Sequence, residues 1–227
     1  MILRHQPVQS RRTAASCVLF DMDGTLLDSA AGVTASAAQA LAAVGAPVRE
    51  EELLRLVGPP MLESFRDHLD RDEVRSRLAL EHYRRIYAEQ GAQQSVPYTG
   101  VRELLEQLRL AGMPMAVATS KAEDQALLMA RRFGLDHYFV SICGASDHDR
   151  RWTKAEVIAE VLDRLAAAGV DVSRPLMVGD RSYDVAGAAV HGIPAVFAGW
   201  GYGAAEEEAG DAFVASSPAA VLPAVLG

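Results

Sequence analysis

Five short apolar runs punctuate this chain, at residues 17–20, 115–119, 139–143, 175–178 and 194–197. Runs of that length with no charge inside them predict strands buried on both faces, the kind a parallel sheet requires. From residue 97 onward they alternate with stretches whose apolar positions recur every three or four residues. Val101, Leu104, Leu105 and Leu108 mark one such helix, with Gly112 beyond its end. Further helices are predicted over 121–133, 154–168 and 182–190, closed by Gly134, Gly169 and His191-Gly192. Strand–helix alternation at this spacing implies parallel pairing through right-handed crossovers. Between residues 29 and 96 the pattern changes. Helical periodicity covers 29–44, 50–57, 61–69 and 72–90, and no strand is predicted there. Nearly seventy residues of helix interrupting an alternating chain read as an insertion. The expected organisation is a core of residues 16–28 and 97–227, a helical insertion of 29–96, and a disordered leader of 1–15.

Composition narrows the function. Half of the 227 residues are hydrophobic, enough for a sizeable core, and the formal net charge of −8 disfavours nucleic acid and anionic membrane as partners. The only cysteines, Cys17 and Cys143, lie in strand-like runs and read as buried thiols in a reducing compartment. Residues 29–48 carry no charge, but they are mostly alanine with Ser29, Thr34, Ser36, Gln39 and Pro47 among them, too polar to drive membrane insertion. A cytoplasmic protein is expected. Lysine usage is unusual: of 22 basic residues only Lys121 and Lys154 are lysines. A chain that otherwise uses arginine keeps lysine where a compact charge on a flexible stem is wanted.

Candidate chemistry sits at the strand ends. The first run leads into Asp21 and Asp23, spaced so that an extended chain points both carboxylates the same way. Their repulsion calls for a cation between them or a proton on one. Gly24 then permits a tight turn. The second run ends in Thr119-Ser120, where hydroxyl and backbone N–H groups ahead of a helix make a natural phosphate site. Lys154 opens a helix, an unfavourable place for a cation unless an anion lies nearby. The fourth run delivers Gly179-Asp180, with Asp184 four residues on. A hard cation such as magnesium takes oxygen ligands, with Asp180 as direct ligand and Asp184 behind it.

The segments Asp21-Met22-Asp23-Gly24-Thr25, Thr119-Ser120-Lys121, Lys154 and Gly179-Asp180-Arg181 with Asp184, in this order, resemble the four motifs of the haloacid dehalogenase-like hydrolases. The resemblance covers the chain from Cys17 to roughly Pro218. It implies an α/β fold with a Rossmann-like parallel sheet and an inserted α-helical cap. It further implies that Asp21 is a nucleophile forming an aspartyl-phosphate and Asp23 a general acid and base. Mg²⁺ would be held by Asp21, Asp23 and Asp180, and the phosphoryl group by Thr119, Ser120 and Lys154. At the third motif the run is Thr153-Lys154-Ala155, without the Lys-Pro that many members carry. Val57-Gly58-Pro59-Pro60 resembles a substrate-facing loop of phosphoglycolate phosphatase-like members, so Gly58, Pro59 and Pro60 are expected to meet substrate. The activity implied is Mg²⁺-dependent hydrolysis of a small phosphomonoester, phosphoglycolate-like. Nucleoside monophosphates are the alternative substrates, and a phosphomutase and a phospho-acceptor switch are the alternative functions. A dehalogenase is disfavoured by Asp23, and oligomeric state is left open.

Overall fold

The computed structural model describes residues 14–146, 148–203 and 212–227. In chain order the strands are β1 (Cys17–Phe20), β2 (Leu27–Asp28), β3 (Val96–Pro97), β4 (Met115–Ala122), β5 (Ser141–Ala145), β6 (Pro175–Gly179), β7 (Ala195–Ala198) and β8 (Phe213–Ala215). The helices are α1 (Ala30–Ala43), α2 (Glu50–Leu53), α3 (Met61–His68), α4 (Glu73–Glu89), α5 (Val101–Leu110), α6 (Glu123–Arg132), α7 (Lys154–Ala167), α8 (Ser182–Val190) and α9 (Leu222–Leu226). Six strands form a parallel sheet in the order β5-β4-β1-β6-β7-β8, which makes β1 central. This is the expected Rossmann-like α/β fold.

The apolar runs are buried on both faces because helices cover both. Cys17 and Leu19 pack with Val157, Val161 and Leu165 of α7, whereas Val18 and Phe20 face the larger core that extends into the insertion. All four residues of β1 are fully buried, and burying each large apolar side chain contributes about 1.5–3 kcal/mol. Between Ala30 and Gln94 the secondary structure is helical. The chain leaves and rejoins the sheet through a two-residue antiparallel ladder, Leu27 opposite Pro97 and Asp28 opposite Val96.

Three expectations are corrected. Lys121 is not in a helix: β4 runs on to Ala122 past an irregularity in its pairing with β5, and α6 begins at Glu123. The reason is tertiary, since the Lys121 side chain turns into the interior to meet Asp23. The strand expected at 139–143 lies at Ser141–Ala145, because Asp136–Tyr138 forms a tight helical turn ahead of it. The five predicted strands are one short of the sheet, as β8 pairs parallel with β7 outside the run at 194–197. Most of the expected leader, residues 1–13, lies outside the described residues; Ala15 donates its N–H to Val225 O at 2.9 Å.

Candidate active site

Parallel strands bring their carboxyl ends to one edge, and there the chemistry collects. Asp21 follows β1, its backbone tied to β6 by a 2.9 Å bond from its N–H to Val178 O. Its carboxylate is 4% exposed and receives Lys154 Nζ at 2.7 Å. The same ammonium lies 2.7 Å from Asp184 Oδ1 and donates to Ala118 O at 2.9 Å, so its three protons have three acceptors. Burial works against the ammonium, but Asp184 and Asp21 outweigh it and hold Lys154 protonated above the usual lysine range. Thr153 and Glu156 form a capping box ahead of Lys154, so the start of α7 is satisfied and its cation is free to face inward.

Asp180 follows β6 directly and is fully buried. Thr25 donates its hydroxyl to Asp180 Oδ1 at 2.9 Å, and the Tyr202 N–H donates to Oδ2 at 2.9 Å. Asp184 accepts the Arg181 N–H at 3.0 Å. Gly24, with φ of +88°, is required beside them: a Cβ there would come within 2.1 Å of Asp180 Oδ2.

Carboxylate oxygens of Asp21, Asp180 and Asp184 all lie within 4.8 Å of one another. Burial raises Asp21 to about 6 against the opposing pull of Lys154, with repulsion from Asp184 and Asp23 adding to the rise. Burial, then Asp184 and Asp21, raise Asp180 well above the usual carboxylate range. Three buried carboxylates, two of them paired with the one ammonium of Lys154, hold an excess of negative charge, and their all-oxygen donor set fits a hard divalent cation. The sequence expectation placed Asp23 in this set and Asp184 behind it. In the structure the Asp184 carboxylate lies beside those of Asp21 and Asp180, and the Asp23 carboxylate pairs with Lys121.

That carboxylate accepts Lys121 Nζ at 2.9 and 3.2 Å and the Ser29 hydroxyl at 2.7 Å. Lys121 Nζ also lies 4.1 Å from the centre of the Tyr87 ring, on α4. Lysine economy had singled out Lys121, but nothing local showed its partner.

Asp21, Asp23, Thr119, Ser120 and Lys121 line one cleft, roofed by Gly58, Pro59 and Pro60 together with Tyr83 and Arg84 of α4. Expected residues from both parts of the chain therefore share this space, whereas Lys154, Asp180 and Asp184 do not line it. Among the described residues the Ser120 hydroxyl is buried without a hydrogen-bond partner. The proline loop is held from below, since the Arg181 guanidinium donates to Val57 O. Gly58, at φ +103°, leaves room where a Cβ would come within 2.6 Å of the Arg181 side chain. Sequence reasoning missed the roles of Arg181 and Thr25. Nor did it point to Trp200, whose indole N–H donates to Thr25 O at 3.0 Å, or to Tyr202, whose N–H meets Asp180.

A family model for haloacid dehalogenase-like hydrolases matches residues 18–198. The tyrosine-protein kinase PtkA of Mycobacterium tuberculosis is 44% identical over 190 residues, covering 83% of this chain and 64% of that protein. This chain thus spans about 64% of the length of the first curated relatives it matches. A 5'-nucleotidase of Pseudomonas aeruginosa is 37% identical, covering 84% of this chain and 85% of that protein. A phosphoglycolate phosphatase of Agrobacterium fabrum is 34% identical, covering 84% and 83%. Among solved structures, a predicted phosphatase from Clostridium acetobutylicum superposes with a TM-score of 0.83 at 32% identity, covering 90% of this chain and 95% of that one.

Proposed function

Since the chain belongs to the haloacid dehalogenase-like hydrolases, we propose that it is a Mg²⁺-dependent phosphomonoesterase working through an aspartyl-phosphate on Asp21. The observation that carries this reading is the cleft itself: Asp21 and Asp23, each bonded to a different buried lysine, beside the unpartnered hydroxyl of Ser120. Asp21 and Asp180 would hold the magnesium with Asp184 beside them, Asp184 also fixing Lys154. Bound there, the ion would neutralise charge on the phosphoryl group and align it.

Asp21 attacks phosphorus as the bond to the ester oxygen breaks, and that oxygen takes a proton from Asp23. Water then attacks the aspartyl-phosphate, giving its proton to Asp23 and releasing phosphate, which restores both residues. Thr119, the Ser120 N–H and hydroxyl, and Lys154 receive the phosphoryl oxygens; such stabilisation and positioning dominate phosphoryl transfer. The helical insertion of 29–96 acts as a cap that excludes water, and the Gly58-Pro59-Pro60 loop meets the leaving group. The substrate is a small phosphorylated metabolite. Phosphoglycolate is supported by the Agrobacterium relative and by the proline loop's place over the cleft, and nucleoside monophosphates are the alternative supported by the Pseudomonas relative. Two free, buried cysteines suit a reducing, cytoplasmic setting; among the described residues no helix is long and apolar enough to cross a membrane.

Phosphate release across a panel of phosphomonoesters tests the reading. Activity should require Mg²⁺, and Asp21→Asn should lower it by at least about 10³-fold, roughly 4 kcal/mol of barrier. Full activity in excess chelator, or an Asn variant within about tenfold of wild type, would sink it. The 44% identity to a protein named as a tyrosine kinase favours one second reading, transfer to an acceptor other than water. Incubation with γ-labelled ATP separates the two, since hydrolysis yields free phosphate and transfer yields labelled protein.

A further inference from the structure

The helical insertion is attached to the sheet at two crossings, one at 27–30 and one at 96–98, paired through the short β2–β3 ladder and a 3.1 Å bond from the Tyr98 N–H to Leu26 O. Both crossings converge on one side chain from the far end of the core. The Tyr202 hydroxyl accepts the N–H of Ser29 at 2.6 Å and of Ala30 at 2.9 Å, and donates to Asp28 Oδ1 at 2.7 Å. Its ring lies against Tyr98 of the second crossing, with centroids 6.4 Å apart.

The hydroxyl fills a need that the local sequence leaves open. Helix α1 has no side-chain cap and no acid in its first turn, because the natural cap, Ser29, spends its hydroxyl on Asp23. Two orphan N–H groups at the start of α1 are therefore satisfied by a residue more than 170 positions away. The backbone of the same residue donates to Asp180 at 2.9 Å. The segment carrying it is packed too closely to move independently: a Cβ on Gly201 would come within 2.3 Å of Asp180 Cβ, and one on Gly203 within 2.0 Å of Asp180 O.

We propose that Tyr202 is a positioning residue, a pin that couples the acidic cluster at Asp180 to the seat of the helical insertion. A cation fixing the Asp180 carboxylate then also fixes the Tyr202 segment, and through the hydroxyl it fixes the start of α1 and the Ser29 contact to Asp23. Linkage makes the effect reciprocal: a seated insertion favours the metal-ready form of Asp180. The proposal rests on the phosphatase reading only for its consequence in turnover. The mechanical coupling stands or falls separately.

Tyr202→Phe tests it, because it removes the hydroxyl and keeps both the ring and the N–H to Asp180. Amides of residues 29–33 are expected to exchange at least about tenfold faster in the variant, with β1 and β4 amides unchanged. Mg²⁺ alone should slow exchange at 29–33 in wild type and no longer do so in the variant. In turnover, KM for substrates that meet the insertion should rise several-fold more than KM for p-nitrophenyl phosphate.

A merely structural role is separated by adding Ala31→Glu to the Phe variant, since Ala31 is exposed and an acid there supplies the missing first-turn charge. That change should restore slow exchange within α1 but neither the Mg²⁺ response nor the KM. If it restores all three, Tyr202 is an ordinary helix cap and the pin is overturned. Equal Mg²⁺ protection in wild type and Phe variant overturns it too, as does faster exchange throughout the sheet. A wild type that hydrolyses no ester would overturn the phosphatase reading, and exchange with and without Mg²⁺ would still decide the pin.

Discussion

Lys154 and Lys121 are the same residue type, similarly buried, and each holds one of the two carboxylates that follow β1. Their surroundings differ. Every partner of Lys154 belongs to the sheet's own strand ends and crossovers: Asp21, Asp184 and the carbonyl of Ala118. Lys121 instead bridges two regions, with Asp23 on the sheet side and the Tyr87 face on the side of the insertion. Behind Tyr87 stand Tyr83, stacked at 5.7 Å, and Phe65, edge-on to Tyr83 at 6.1 Å. Buried ion pairs add little net stability, because desolvation offsets most of the attraction. Two such pairs side by side are therefore better explained by what they position. In the proposed mechanism Lys154 answers to the phosphoryl group, whereas Lys121 holds Asp23 while resting against Tyr87 of α4.

The largest effect expected from this contrast is at Lys154. Lys154→Ala should depress every phosphomonoester alike by about 10²–10³-fold, since all share the group it faces. A reshuffled substrate preference without a general loss would place Lys154 with the insertion instead. Lys121→Met should cost about tenfold to 10²-fold in kcat, the range in which general acid–base groups act. Tyr87→Leu should move kcat in the same direction by a smaller factor, with Tyr87→Phe near wild type because the ring is retained. An inert Tyr87→Leu would make Lys121 as self-contained as Lys154.

A thermal experiment separates the acidic cluster from the rest. Asp21 is raised from 3.8 to about 6 chiefly by burial, so between those values the folded state binds more protons than the unfolded one. Its contribution to stability is therefore present at low pH and lost as pH rises through about 6. Without divalent cation, Tm should fall over that range. Mg²⁺ should reverse the fall by taking the proton's place, giving a larger Tm gain at pH 8 than at pH 5. A gain independent of pH would mean the cation does not meet Asp21.

Smaller effects are expected at the loop that the proposed mechanism sets against the leaving group. Replacing Pro59 and Pro60 with Ala should change relative kcat/KM among natural phosphomonoesters by a few-fold, about 1 kcal/mol in discrimination, and leave p-nitrophenyl phosphate nearly unaffected. A uniform loss would erase the division between chemistry and choice. The smallest effect belongs to a surface pair. Arg109 and Glu106 on α5 are bonded at 2.7 Å but are 51% and 41% exposed. Arg109→Ala should shift Tm by less than about 3 °C, in contrast to either buried lysine.

The sequence by itself determined the elements and the edge on which the chemistry collects. Unbroken apolar runs can only be strands covered on both faces, and they deliver Asp21, Thr119 and Asp180 to one end because parallel strands share a direction. Helical spacing with glycine stops set the insertion apart, since both signals act within a few residues. Short β8 had no such signal; a three-residue edge strand is defined by its neighbour β7 and not by its own pattern. What only the tertiary structure decided were the partners: Lys121 with Asp23 across 98 positions, Thr25 with Asp180 across 155, and Tyr202 with Ser29 across 173. Local periodicity says which face of an element is buried. It carries no record of which distant donor will meet a buried acceptor, because that is fixed by how the layers pack once the chain has closed on itself.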